Sequence, residues 1–76
     1  TTIRYQLKEK GLVNVRIYDR HGKFIRNLSI GKLVAGNHEC VWDGNKHDGK
    51  PAKPGLYYAR IIKNKKVNTL KIFKQG

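Results

Sequence analysis

The sequence predicts an all-β domain, a small antiparallel β-sandwich of the immunoglobulin or fibronectin type III class with about six or seven strands. Apolar and polar residues alternate through several segments, and turns that contain glycine separate these segments. No window places apolar residues at helical spacing for two turns, so the strands follow one another directly and should pair antiparallel. The 76 residues hold material for one core, and we expect residues 1–76 to form a single domain.

The first two strands are predicted from the most regular alternation in the chain. Residues 2–7 form the first strand, and the polar segment 8–11 turns the chain. Residues 13–18 form the second strand, which ends at the polar turn 19–22. The side chains expected to face the core are Ile3, Tyr5, Leu7, Val13, Val15 and Ile17.

The middle of the chain is predicted to supply a third and a fourth strand. Residues 23–30 are rich in β-formers, but the pattern leaves the register of this strand open. A loop over residues 31–36 leads to a fourth strand that ends at Trp42. The inward positions are Phe24 or Ile25 and Leu28 or Ile30 on the third strand, and His38, Cys40 and Trp42 share one side of the fourth.

The last third of the chain is predicted to be a long connection followed by a hairpin. Residues 43–54 contain two Asp-Gly pairs and two prolines, a composition typical of a connection built from turns. Residues 55–63 resume the alternation, residues 64–65 supply a tight turn, and residues 66–73 return as the last strand. The inward side chains of residues 55–63 are Tyr57, Ala59 and Ile61.

Four segments stand in a recognisable order: TIRYQL at 2–7, VRIYD at 15–19 with Gly22, GNH at 36–38 leading to WDG at 42–44, and PGLYYARI at 54–61. Together they resemble the immunoglobulin-like domain of the flagellar hook-capping protein. The same module recurs at the C-termini of secreted bacterial proteins, including cargo of the type IX secretion system. The resemblance covers essentially the whole chain, and it implies a non-catalytic structural, sorting or anchoring module.

The resemblance also implies where such a chain works. We expect residues 1–76 to be the C-terminal part of a longer bacterial protein that is secreted or displayed at the cell surface. Its partners would be the upstream domain of that protein or neighbouring assembly subunits. No run of about 18 apolar residues occurs, so no membrane span is predicted, and an export signal would lie elsewhere in the longer protein. The sequence leaves the oligomeric state open, although an exposed sheet edge would allow pairing.

Five residues that bracket the long connection are expected to be structural. The Trp42 side chain can fill a thin sandwich, while Asp43 can accept backbone hydrogen bonds in a turn that Gly44 lets reverse. Gly55 frees the chain to re-enter the sheet, and Tyr57 can bury its ring while its hydroxyl reaches a loop carbonyl. The alternative is an exposed aromatic platform for sugars or bases, formed by Trp42, Tyr57 or Tyr58.

The charge of the chain suggests a second function. Seventeen lysines and arginines against five acidic residues give a net charge of +12. Either a polyanion is bound, such as nucleic acid, lipopolysaccharide or an acidic glycan, or the lysines only decorate solvated strand faces and protect sheet edges. The candidate polyanion-binding residues lie in the last hairpin and are Arg60, Lys63, Lys65, Lys66, Lys71 and Lys74.

Catalytic and metal sites are not predicted. Cys40 is the only cysteine, and its alternating strand context indicates a small apolar packing residue. The three histidines lack metal-ligand spacing, and the two glutamates lie in different segments. Asp43, Asn45 and Asp48 offer oxygens, but a calcium loop needs more ligands and a bidentate glutamate. We therefore expect no enzyme activity, no cofactor and no bound metal.

Overall fold

Two antiparallel sheets enclose one core in the computed structural model, which describes residues 1–75. In this part of the chain β1 pairs with β4, and the other strands form a four-stranded sheet in the order β3-β2-β5-β6. The all-β antiparallel fold class is therefore confirmed. The six strands are β1 (Thr2–Leu7), β2 (Gly11–Asp19), β3 (Phe24–Leu33), β4 (Gly36–Val41), β5 (Gly55–Lys63) and β6 (Lys66–Lys74).

The alternation of the sequence places the core where it was expected. Odd-numbered residues of β2 point inward, and Val13, Val15 and Ile17 are fully buried between the sheets. Removing each such aliphatic side chain from water contributes about 1.5–3 kcal/mol. Ile3 of β1 closes the core from the two-stranded sheet, and Ala59 and Ile61 line it from β5.

Two β-bulges in β3 settle the register that the sequence left open. The pairing of β2 with β3 shifts between Ile17 and Tyr18, and the extra residue there is Ile25, which is buried. Phe24 consequently lies on the opposite side of the sheet and is 39% exposed. Leu28 and Ile30 are both half-buried against the core, so the expected choice between them does not arise.

The second bulge corrects the predicted loop at residues 31–36. The pairing shifts again between Val13 and Asn14, where the extra residue is Ile30. The adjoining Gly31 pairs with Val13 and has a φ of 104°, which glycine adopts without strain. β3 therefore continues to Leu33, which pairs with Gly11, and the connection to β4 shrinks to two residues, Val34 and Ala35.

The ends of the strands otherwise agree with the sequence to within a residue or two. β4 ends at Val41, and the backbone of Trp42 continues the contact through its N–H, which donates to the carbonyl of Thr1 at 2.9 Å. The tight turn between β5 and β6 uses Asn64 with a φ of 55°, a left-handed conformation that asparagine tolerates. No helix that could cross a membrane occurs among residues 1–75.

Candidate functional site

The loop over residues 43–54 is tied to the core by two aromatic side chains. Trp42 is fully buried and meets the ring of Tyr57 edge to face, with 5.1 Å between ring centroids. The indole N–H of Trp42 donates to the carbonyl of Asn45 at 2.9 Å. From the other side, the Tyr57 hydroxyl donates to the carbonyl of Lys53 at 2.5 Å. Each of these buried rings therefore donates one hydrogen bond to a backbone carbonyl of the loop.

The turn after Trp42 is shaped by Asp43 and Gly44. Asp43 Oδ1 accepts the N–H of Asn45 at 2.9 Å and the Arg26 guanidinium at 2.9 Å, and both contacts lower the pKa of this carboxyl. Gly44 has a φ of 84°, and its carbonyl accepts the N–H of Ala52 at 2.9 Å across the loop.

The residues expected to be structural thus lie around one loop. Gly55 begins β5 with a φ of 140°, two residues before Tyr57. Because Trp42 and Tyr57 are buried, neither can act as an exposed stacking platform. Tyr58, the remaining candidate for that alternative, lies half-buried on the other side of β5.

Lys63 is not an exposed cation of the hairpin, which corrects its place among the candidate polyanion-binding residues. It occupies an inward position of β5, and the residue is only 8% exposed. Its aliphatic chain extends along the end of the core, and Nζ donates to the carbonyl of Glu9 at 3.0 Å. Lys63 joins the β1–β2 turn to the last hairpin instead of facing solvent.

The other hairpin cations do not form one patch, because strand alternation sends neighbours to opposite sides. Arg60 and Lys71 point away from the core, on the same side as Tyr58. Lys66 and Lys74 occupy inward-side positions at the two ends of β6, opposite Lys63 and Gly55. Lys65 lies in the turn between the strands. The six predicted residues are thus divided between two sides and a turn.

An aromatic and arginine cluster that was not predicted lies on the side of the four-stranded sheet turned away from the core. The guanidinium carbon of Arg60 lies 4.7 Å from the ring centroid of Tyr18. Tyr18 also meets Phe24 edge to face at 6.0 Å, and Phe24 stacks on His47 of the long loop at 5.8 Å. The alternation predicted the outward positions of Tyr18 and Arg60, whereas that of Phe24 depends on the bulge at Ile25. Their meeting depends on strand order.

The side chains that could act as nucleophiles or metal ligands do not come together as a site in the part of the chain that the structure describes. Burial raises the pKa of the Cys40 thiol, so it stays protonated near neutral pH. Asp48 Oδ1 accepts the N–H of Lys50 at 2.9 Å, as Asp43 does from Asn45. Across residues 1–75, no group of three histidine, cysteine or acidic side chains is placed to hold a metal ion.

The chain is similar to known flagellar proteins. Over 49 residues it is 41% identical to the basal-body rod modification protein FlgD of Escherichia coli K12 and, over 49 residues, 42% identical to that of Salmonella typhimurium. Each alignment covers 64% of this chain and 21% of the relative. The chain thus spans about a fifth of the curated relatives' length.

Two solved FlgD structures share the fold. FlgD from P. aeruginosa superposes with a TM-score of 0.76 at 25% identity, over 96% of this chain and 58% of that chain. FlgD from Xanthomonas campestris gives 0.74 at 25% identity, over 95% and 53%. A family model, the FlgD Ig-like domain, matches residues 1–66. This protein therefore belongs to the FlgD Ig-like domain family, a non-catalytic family, and it is not an enzyme.

Proposed function

We propose that this chain is a contact module of an exported bacterial protein and that it holds a neighbouring domain or subunit during flagellar assembly. Family membership carries the proposal, since the Xanthomonas campestris relative acts in hook capping. The arrangement of the chain supports it, because Trp42 and Tyr57 fill the interior and anchor the loop, which leaves the outer surface to make contacts. The partners would be the upstream domain of the same protein or hook subunits.

Two finer roles follow from this proposal and can be told apart. As a contact module the domain would act outside the cytoplasm, after its parent protein has been exported. As a C-terminal sorting or anchoring module of the kind found in type IX secretion cargo, it would be needed for export or surface retention itself. The hook-capping relatives favour the first role.

Deleting residues 1–76 from the parent protein in its own bacterium tests the proposal. We expect the truncated protein to be exported while hooks fail to assemble, as seen by cell fractionation and electron microscopy. Retention of the truncated protein inside the cell would instead establish the sorting role. Normal export together with normal hooks would refute both.

A pair of point variants separates loss of the folded module from loss of chain length. Trp42→Ala removes the largest fully buried side chain and should reproduce the deletion. The neighbouring Val41→Ala is the matched control, because Val41 is 67% exposed, and it should leave hooks intact.

Polyanion binding is the second candidate function, and the net charge of +12 favours it. Arg60, Lys65, Lys66 and Lys71 are exposed, and each contact with a phosphate or sulfate would release counterions. Affinity for heparin and single-stranded DNA should then fall steeply with added salt and should not depend on base sequence. No binding at low ionic strength would eliminate this function.

A further inference from the structure

We call the side of the four-stranded sheet turned away from the core the outer sheet face. Its residues are arranged in a regular pattern across the strands. Its centre consists of two cross-strand pairs between β2 and β5, Arg16 with Arg60 and Tyr18 with Tyr58. Lys71 of β6 lies beside Tyr58, and Phe24 of β3 lies beside Tyr18. Arginine and tyrosine therefore occupy the middle of the face.

Among residues 1–75, the outer sheet face carries arginine and lysine side chains and no acidic side chain that would neutralise them. The five acidic residues of the chain lie elsewhere: Glu9 in the β1–β2 turn, Glu39 on β4, Asp43 and Asp48 in the long loop, and Asp19 at the end of β2. Asp19 Oδ1 accepts the N–H groups of His21 and Lys23, so this carboxylate shapes its own turn. Like charges placed directly across strands are unfavourable, and Arg16 opposite Arg60 is such a pair. A bound carboxylate between the two guanidinium groups would relieve their repulsion.

Arg60 is held in a geometry suited to such a carboxylate. Its guanidinium carbon lies over the Tyr18 ring, 4.7 Å from the centroid, while the residue stays exposed, so the ring holds the group at this place on the face. A guanidinium in contact with a ring can still direct N–H groups toward a ligand, and two parallel N–H donors match the two oxygens of a carboxylate.

The ring faces argue for a protein partner and against stacked bases. One face of Tyr18 is covered by Arg60, and Phe24 is stacked on His47 with 23° between the ring planes. Base stacking needs open ring faces, and each of these two rings already uses one face within the chain, while Tyr58 beside them is half-buried. Arginine and tyrosine at the centre with lysine at the margin is instead the composition of protein interfaces. Exposed Val67 and Phe73 of β6 add apolar area to the same side.

From this arrangement we infer that the outer sheet face is the contact surface of the module and that it binds an acidic surface of a partner protein, whose carboxylates pair with Arg16 and Arg60. This inference rests on the proposed contact function and specifies its partner class.

Photo-crosslinking of the full-length parent protein in its own bacterium tests the choice of face. A benzophenone amino acid replaces Thr69, which is exposed opposite Arg60, or Gln6, which is exposed on β1 of the other sheet. We expect protein crosslinks from Thr69 and not from Gln6, with net acidic peptides at the crosslinked site. Crosslinks from Gln6 alone would overturn the face while leaving the contact function standing. Crosslinks from Thr69 to nucleic acid or glycan would overturn the partner class.

Charge-matched variants of the chain test the residues, with a short poly-L-glutamate peptide and single-stranded oligothymidylate as probes. Arg16→Glu with Arg60→Glu should weaken poly-L-glutamate binding at least about tenfold, because two charge-assisted contacts are lost. Lys10→Glu with Lys53→Glu changes net charge equally at exposed sites off this face and should weaken it less than about threefold. An equal loss of poly-L-glutamate affinity in both double variants would refute the inference. Tighter binding of oligothymidylate than of poly-L-glutamate, lost in the Arg16→Glu, Arg60→Glu variant, would also refute it.

A conservative pair separates paired carboxylate recognition from charge alone. Arg16→Lys with Arg60→Lys keeps the net charge but removes the planar fork of N–H donors. Affinity for poly-L-glutamate should fall by an intermediate amount, about threefold to tenfold. Unchanged affinity would show that only the charge of the face matters and would overturn the assigned pairing.

Discussion

The ring of Trp42 meets the ring of Tyr57 edge to face, with 67° between their planes, and each ring sends its polar atom to a different point of the same loop. The packing of the core and the position of the loop therefore depend on the same two side chains. Loss of either ring affects both the core and the position of residues 43–54.

Trp42→Ala should unfold the domain or leave it barely stable. Replacing a buried tryptophan with alanine costs about 3–5 kcal/mol, which equals the net stability expected of a domain this small. Urea unfolding followed by circular dichroism measures the change. Val41→Ala, at the exposed neighbouring position, should shift the free energy of unfolding by no more than about 0.5 kcal/mol. A Trp42→Ala protein as stable as the Val41→Ala control would contradict the assigned core.

Tyr57→Phe should lower the free energy of unfolding by about 1 kcal/mol, because the carbonyl of Lys53 loses its donor while the ring packing is kept. Tyr58→Phe is the matched control, since it removes a hydroxyl from the neighbouring residue on the outer sheet face. Its effect on urea unfolding should be smaller. If the two variants lost equal stability, the Tyr57 hydroxyl would have no special part in holding the loop.

The sequence predicted the strands well because alternation is a local signal. The alternation of Val13, Val15 and Ile17 with their neighbours predicts a buried face of this strand, whichever strands lie beside it. The bulges at Ile25 and Ile30 were not predictable, because a bulge is defined by the partner strand and a single sequence does not give the pairing.

The sequence was less informative about surfaces, and for the same reason. The sequence-based prediction treated the hairpin lysines as one group. Strand alternation, however, places Lys63 on the same buried side of β5 as Ile61. The contact between Tyr18 and Arg60 joins distant parts of the chain and depends on β2 lying beside β5. Surface clusters need the strand order, which local patterns do not supply.

Gly44→Ala should cost about 1–2 kcal/mol, mainly because alanine is strained at a φ of 84°. An added Cβ would also lie 2.7 Å from Cε of Lys74, but that atom is near the end of a flexible side chain and can move away. Gly22→Ala is the control, with a φ of 83° and open space around the added Cβ. The two variants should lose similar stability. A much larger loss at Gly44 that Lys74→Ala relieves would show that Lys74 is held rigidly.

Acid should weaken the loop through Asp43. The Asn45 N–H and the Arg26 guanidinium hold the pKa of this carboxyl below its usual value of 3.8, so folding favours its ionised form. The resulting stabilisation is present above the usual carboxyl pKa and is lost as the pH falls through the lowered folded value. Urea midpoints measured from about pH 6 to about pH 2 should show a smaller acid loss for Asp43→Asn than for the unsubstituted chain. An identical acid dependence would exclude a contribution from Asp43.

Lys63→Met and Lys66→Met should separate a buried lysine from an exposed one in polyanion binding. Lys63 is 8% exposed and donates to the Glu9 carbonyl, so its loss should leave heparin affinity nearly unchanged. Lys66 is exposed at the paired position of β6, and its loss should reduce the slope of log affinity against log salt by up to about one. Heparin titrations at several salt concentrations provide the measurement. Both variants carry the same net charge, so a larger loss for Lys63→Met would mean that this lysine reaches the polyanion and that its burial does not describe the bound state.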